Sequence, residues 1–479
     1  MVKQKVMEVL VEREDEGDTF VPAEEMYGLL EEPREAVRAS VWELVRERRL
    51  VRDQGAELYR APTFRAEVEV AARLAELRRV SPLPPPAAGS LGGLTDLQRR
   101  AVSQVLQEAV SVILGAPGTG KTSCIAVLAR LFPGRVALCA PTGKASRRLG
   151  EATGREAYTL HRLLGYDGKG FRHGPGNPLP ADLVVVDEAS MLDVHLAAAL
   201  LGALRPGARL CLVGDPEQLC SVGPGQVLSD LVRSGLVAVT RLRRLHRQAR
   251  KGPIARRLAQ LRGGRNLDLQ TEAGFTFLPA RGHRAIARAV AMAERLLGQS
   301  RQVAVLAPTR AVVTELNRRL QMRLNPPRPG VREVEAPDGN IYRERDQILF
   351  MENDYVRDFR NGQLGVIKEI KGEKLLVATR GRLVEVALEE LEPDEEGRTI
   401  LTHGWALTAH RAQGSEWEEV VVCVPGRSRV LSRAWLYATL SRARHSVILV
   451  GHEEVIRDAS IILTRRRTKL LTRLRQALG

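Results

Sequence analysis

The run GAPGTGKT, Gly115 to Thr122, constrains the fold more than any other part of the chain. It follows the apolar stretch VSVIL and opens the helix-like stretch SCIAVLARLF, so it stands where a buried strand turns into a helix. The run fits G-x-x-x-x-G-K-[ST], whose glycines let the backbone wrap around phosphates and aim successive N–H groups at them. The helix start adds its partial positive charge. Gly115, Pro117, Gly118, Thr119, Gly120, Lys121, Thr122 and the adjoining Ser123 are therefore the candidate nucleotide-binding residues. Lys121 suits the β- and γ-phosphates and Thr122 suits Mg²⁺. A second buried stretch, LVVVDEAS, ends in Asp187 and Glu188. A strand-end Asp-Glu pair by itself is an ordinary solvated turn. Beside a phosphate loop, Asp187 suits the second Mg²⁺ contact and Glu188 suits orienting or deprotonating the attacking water. Hydrolysis of a nucleoside triphosphate is the chemistry expected.

Around this loop, VSVIL, RVALCAP, DLVVVDE and ARLCLVG alternate with helical patterns, and QVAVLAP and EVVVCVP form a second group. Near-continuous apolar strands between helices predict parallel sheets covered on both faces, hence two α/β domains. The expected division is 94–240 for the first, and 241–325 with 397–479 for the second. The strand-rich stretch Asp346 to Leu388, with its Asn361-Gly362 hairpin signal, predicts a small β-barrel inserted over 326–396. YDGKGFRHGPGNPLPAD predicts a short projecting hairpin inserted over 166–181, with Phe171 and Arg172 near its tip. Residues 1–80 read as helix, helix and a hairpin ending at Tyr59, with Pro22 near a helix start, then a helix from Phe64 to Arg79. That is a winged-helix-like pattern. A packing role is preferred to duplex binding, because fold alone does not give function. SPLPPPAAGSLGG, residues 81–93, is a linker, stiff and then flexible. The basic C-terminal segment carries Leu470, Leu471 and Leu474 at helical spacing and reads as a final packed helix rather than a DNA-binding tail.

Composition agrees with this division. The 479 residues are too many for one ordinary domain and suit three or four. Hydrophobic residues at 44% and charged residues at 27% match a globular protein with real cores. No apolar run is long enough to span a bilayer, and the N-terminus has no secretory pattern. The five cysteines, Cys124, Cys139, Cys211, Cys220 and Cys423, show no CxxC spacing and read mostly as core residues of a reducing compartment. A cytoplasmic protein without membrane partners is expected. The net charge of +16 favours a polyanion such as nucleic acid, although a general bias toward arginine gives the same number. Aromatics at 4% leave few residues for base stacking.

Further segments then fall into an order that resembles the RecD-like members of helicase superfamily 1, over residues 94 to 452. LTDLQRRAV is similar to the adenine-reading motif, which implies that Gln98 faces the base. APTGKASRRL resembles the motif whose helix start grips the DNA backbone, and TLHRLLGY resembles a strand-contacting segment. GDPEQLCSVGPG, Gly214 to Gly225, matches the motif that links the γ-phosphate, through Gln218, to the DNA. LHRQAR and TLSRARHSVILVG offer Arg247 and Arg442 as arginines facing the γ-phosphate from the second domain. LTAHRAQGSEW resembles the motif of DNA and ribose contacts, with Gln413, Gly414 and Glu416 in the matching places. Thr142, Lys144, His161, Thr408, His410 and Arg411 are the expected backbone grips, giving hold without sequence reading.

The resemblance implies an α/β protein of two RecA-like motor domains. It also implies a monomeric, ATP- and Mg²⁺-dependent enzyme that moves 5′→3′ on single-stranded DNA and unwinds tailed duplex. Three mild departures stand out: Cys220 where proline is usual, Arg411 for lysine, and Ser441 for threonine before Arg442. The chain begins at the winged-helix-like segment, so partner binding through a longer N-terminal region is not implied. A DNA-stimulated ATPase that remodels partners without unwinding would share every ATP motif. A nuclease is disfavoured, since no separate carboxylate cluster lies away from the ATP motifs.

Overall fold

The computed structural model describes residues 1–77, 81–84, 86–87, 89–243, 252–299, 301–354, 356–394, 397–464 and 466–478. The chain divides into two compact units. The first is Met1–Pro141, Ala145–His246 and Arg465–Gly479; the second is Thr142–Lys144 and Arg247–Thr464.

The first unit is built on a six-stranded sheet. From edge to edge its strands are Ala157–Thr159, Val136–Ala140, Leu183–Val186, Arg209–Gly214, Val110–Gly115 and Ala238–Leu242. All neighbours pair in parallel. Three central strands are buried at every residue, as expected of a sheet covered on both sides. Successive side chains point to opposite faces. Ile113, Val185 and Val213 thus pack with helices Asp96–Gln107 and Lys121–Leu131. Val112, Val186 and Leu212 pack with helices Ala61–Leu77, Val194–Ala203 and Val227–Ser234.

The N-terminal sixty residues follow the order helix Val2–Asp15, strand Val21–Pro22, helices Ala23–Leu29 and Arg34–Arg46, strands Leu50–Arg52 and Glu57–Arg60. The three strands form one antiparallel sheet with Glu57–Arg60 in the middle. Pro22 caps the start of Ala23–Leu29 in extended conformation, where its missing N–H costs nothing.

In the second unit, five parallel strands run in the order Phe275–Pro279, Ala443–Gly451, Trp417–Val424, Val303–Ala307 and Ala406–Thr408. Between Val303–Ala307 and Ala406–Thr408 the chain forms an antiparallel five-stranded sheet with its own core, including Phe350, Phe359, Ile367 and Val377. Gly362 adopts φ 79° in the turn between Gln347–Phe350 and Leu364–Lys371, where the Asn-Gly signal lies.

Two expectations need correction. The C-terminal segment does not belong to the second unit. Leu470 and Leu474, both fully buried, complete the core of the first unit beside Ala66 and Val70. Nor is Phe171 at the tip of a hairpin. The stretch from Tyr166 makes two short turns, one closed by a Tyr166–Phe171 bridge and one by a Gly174–Asn177 bridge. Asp167 Oδ1 accepts from the N–H groups of Lys169 and Gly170, so these residues form the first tip. Phe171 packs back on His161 and Tyr166, because an aromatic ring gains more from that cluster than from solvent.

Among the described residues no helix is long and apolar enough to cross a membrane. All five cysteines are free. Truncating Leu474 should leave a cavity in the first unit, so Leu474→Ala is expected to cost about 2–5 kcal/mol. Denaturant unfolding of the full chain, followed by circular dichroism, checks this; an unshifted transition would show that the C-terminal helix adds nothing to that core.

Candidate functional site

In a parallel sheet every carboxyl end lies on one edge, and ligands bind outside those ends. Leu114 pairs with Gly214, and Val186 pairs with Leu212. The loops that leave these three strands, starting at Gly115, Asp187 and Asp215, therefore emerge side by side.

The phosphate loop is shaped by two left-handed glycines, Gly118 at φ 81° and Gly120 at φ 85°, the latter capping helix Lys121–Leu131. A Cβ on Gly115 would overlap Thr119 Oγ1. Thr119 is buried and its hydroxyl donates to Ala116 O at 2.8 Å, closing the loop on itself. Lys121 Nζ donates to Gly115 O at 2.7 Å and Ala116 O at 3.4 Å, so the ammonium lies over the loop. Pro117, Thr122 and Ser123 complete the turn and first helical residues. Gln98 is the third residue of helix Asp96–Gln107. Its Oε1 accepts from Thr95 N–H at 2.9 Å, while its Nε2 donates to Thr119 O at 3.3 Å. The buried glutamine thus ties a helix start to the phosphate loop.

Asp187 follows the buried strand Leu183–Val186, and its N–H donates to Cys139 O at 2.9 Å. Burial pushes its carboxyl up, the neighbouring Glu188 adds to this, and Lys121 and Arg148 oppose it. Two adjacent carboxylates with partial counter-charge are a setting that a divalent cation would relieve. Among the described residues no group of three or more His, Cys, Asp or Glu could hold a metal. A Mg²⁺ here would take few protein ligands and complete its shell with phosphate oxygens and water, as is usual for that ion. Asp187 and Thr122 fit that sparse role. Glu188 is held at φ 52°, a left-handed conformation that is strained for a residue with a side chain. Its N–H donates to Asp187 Oδ1 at 2.9 Å, which turns the two carboxylates sharply at the strand end.

The third loop carries Asp215 and Gln218, both buried. Gln218 N–H donates to Asp215 O at 3.1 Å, so a tight turn presents the glutamine just beyond the strand. In the same unit, Thr159 caps helix Leu160–Leu164 through Arg162 N–H at 3.2 Å, and His161 stands edge-on to Tyr166. Thr142 and Lys144 group with the second unit. Burial pushes the Lys144 ammonium down to about 8, with the charges of Arg380 and Arg411 adding to the effect.

In the second unit, Thr408 stands in extended conformation just before the short helix Ala409–Ala412, which carries His410 and Arg411. Arg411 donates to the Asn361 side chain. Gln413 is 4% exposed, and neither atom of its amide has a partner among the described residues. Gly414 takes φ 74° next to it, and Glu416 pairs with Arg444 at 3.0 Å. Arg442 is 4% exposed; its guanidinium donates to Ala438 O at 3.0 Å and Ser415 O at 3.4 Å. Arg247 lies outside the described residues. The sequence reading missed Thr119 as the loop's internal brace, and only the fit of its hydroxyl under Gly115 reveals it.

Three family models match the chain: an AAA domain over residues 93–287, an ATP-dependent RecD-like DNA helicase SH3 domain over 316–379, and a UvrD-like helicase C-terminal domain over 403–450. Over 429 residues the chain is 38% identical to the ATP-dependent RecD2 DNA helicase of Deinococcus radiodurans, covering 84% of this chain and 57% of that protein. It is 35% identical to the RecBCD enzyme subunit RecD of Mycolicibacterium smegmatis, covering 79% of this chain and 75% of that one. The chain thus spans little more than half of the Deinococcus protein. In fold it resembles the Pif1 helicase from Bacteroides solved with ADP-AlF3 and ssDNA, at 18% identity and a TM-score of 0.51, over 80% of this chain and 97% of that one.

Lys121→Ala is expected to abolish hydrolysis of nucleoside triphosphates while leaving the fold intact. Phosphate release and circular dichroism measure both, and turnover retained in the variant would remove Lys121 from the phosphate contacts.

Proposed function

The chain belongs to the RecD-like helicase family, and from that membership we propose that it is an ATP-dependent DNA helicase moving 5′→3′ along single-stranded DNA. The observation that carries this is the alignment of the phosphate loop, the Asp187–Glu188 turn and the Gln218 loop on three neighbouring strand ends. Such an arrangement lets one site bind phosphate, ligate Mg²⁺ and report the γ-phosphate to a loop that leads away from it. In this reading Lys121 neutralises the β- and γ-phosphates, Thr122 and Asp187 hold Mg²⁺, and Glu188 orients water. Gln98 faces adenine, and Gly414 and Glu416 serve the nucleotide from the second unit. Arg247 and Arg442 stabilise charge on the transferring phosphoryl group. Thr142, Lys144, His161, Thr408, His410 and Arg411 grip the DNA backbone.

Arginines supplied by one unit to a nucleotide on the other would draw the two together while ATP is bound and release them after hydrolysis. Alternate gripping of the strand turns that cycle into steps. We read the N-terminal sixty residues as a winged-helix-like packing module and the antiparallel insertion as an SH3-like barrel. Single-stranded DNA and tailed duplex are the proposed substrates of a monomeric motor.

Two measurements test this reading. With ATP and Mg²⁺, a duplex bearing a 5′ single-stranded tail is expected to unwind, and the matched 3′-tailed duplex is not. Equal unwinding of both would remove the polarity, and DNA-stimulated turnover without unwinding of either would favour a remodelling ATPase. Arg442→Ala is expected to lower turnover by about 10³-fold or more, the range for an arginine finger. ATP affinity by titration should change far less; a matching loss in both would assign Arg442 to binding or folding.

A further inference from the structure

The Gly214–Gly225 loop closes around an arginine from the far end of the chain. Arg466 Nη1 donates to Ser221 Oγ at 2.8 Å, Gly223 O at 2.9 Å and Gly225 O at 2.7 Å, and its Nη2 donates to Ser221 O. Among the described residues every acceptor comes from this one loop. A Cβ on Gly17 would overlap the guanidinium, and Gly17 O accepts from Gly225 N–H at 2.8 Å, so the N-terminal module seals the other side. A backbone bond from Thr19 N–H to Arg467 O, and one from Arg467 N–H to the Asp18 carboxylate, keep the C-terminal segment in register with that seal.

A largely buried guanidinium with no bonded carboxylate among the described residues is costly, and its fixed fork makes the cost worth bearing only where several acceptors must be held in one geometry. Here the geometry held is that of a loop whose other half carries Asp215 and Gln218 and starts beside the phosphate loop. The arginine itself sits two residues beyond Thr464, where the chain leaves the second unit. We propose that Arg466 is a positioning residue: it clamps Ser221–Gly225, the half of the loop farther from the phosphate loop, and so couples DNA binding to ATP turnover. This rests on the motor reading above.

The test is steady-state ATP hydrolysis by the full chain with and without a thymidine oligonucleotide, for the parent, Arg466→Ala and Arg466→Lys. DNA-free turnover, the KM for ATP and oligonucleotide affinity by anisotropy should stay within about twofold of the parent. DNA-stimulated kcat should fall about 10-fold in the alanine variant, the scale of a lost coupling, and less in the lysine variant. Thermal melts of all three accompany the assay. If Arg466→Ala does not fold, Arg466→Lys, which keeps charge and length, carries the same comparison. Equal falls in DNA-free and stimulated turnover with a lowered melting temperature would make Arg466 a structural staple and overturn the proposal. Unchanged stimulation in both variants would overturn it too, leaving the motor reading intact. A parent that DNA does not stimulate would overturn the motor reading and this inference together.

Discussion

The parallel register of three strands, Leu183–Val186, Arg209–Gly214 and Val110–Gly115, is the constraint on which the rest of this molecule depends. Parallel pairing puts every carboxyl end on the same edge, so the loops leaving these strands have to meet there. Both faces of the sheet are then buried, which makes these strands apolar apart from Ser111 and Arg209 and leaves the chemistry to the loops. The strained turn at Glu188 and the left-handed glycines of the phosphate loop are tolerated because the sheet beneath them cannot shift.

Buried polar groups complement that apolar frame by tying distant parts of the chain together. Glu67 is fully buried. Its carboxylate accepts from Thr19 Oγ1 and Thr468 Oγ1 at 2.8 Å each, from Lys469 N–H at 3.2 Å and from Arg473 Nε at 3.2 Å. One carboxylate therefore joins the N-terminal module, the helix Ala61–Leu77 and the C-terminal segment. Removing a single partner would leave a buried charge short of donors, which costs far more than the pair contributes. In the second unit Asp346 plays the same part for the inserted sheet. It accepts from Gln321 Nε2 at 2.5 Å, Asn325 Nδ2 at 2.8 Å and Arg343 N–H at 2.7 Å. Such nodes specify one arrangement, because a full set of partners exists only there.

Which parts of this were legible follows from the range of the interactions. The phosphate loop, the Asp187–Glu188 turn and the six apolar strands rest on local patterns, and a strand followed by a glycine-rich turn and a helix has few other folds. Short edge strands such as Ala157–Thr159 and Ala406–Thr408 carry too few residues to show a period, and they went unrecognised. The turns after Tyr166 were expected as one hairpin because glycine and proline announce turns without saying how many. Phe171 then chose the aromatic cluster at the base over the tip.

The sequence by itself determined the class of fold, the nucleotide-binding loop and the family to which the chain belongs, since those depend on residues close together in the chain. Tertiary structure alone decided where the C-terminal segment goes. Its leucine spacing announces an amphipathic helix, yet nothing local says which core the helix completes. That choice rests on Leu470 and Leu474 meeting Ala66 and Val70, and on Arg466 reaching carbonyls about 240 residues earlier in the chain. Contacts across such separations depend on shape and on matched donors and acceptors, which only the folded chain brings together.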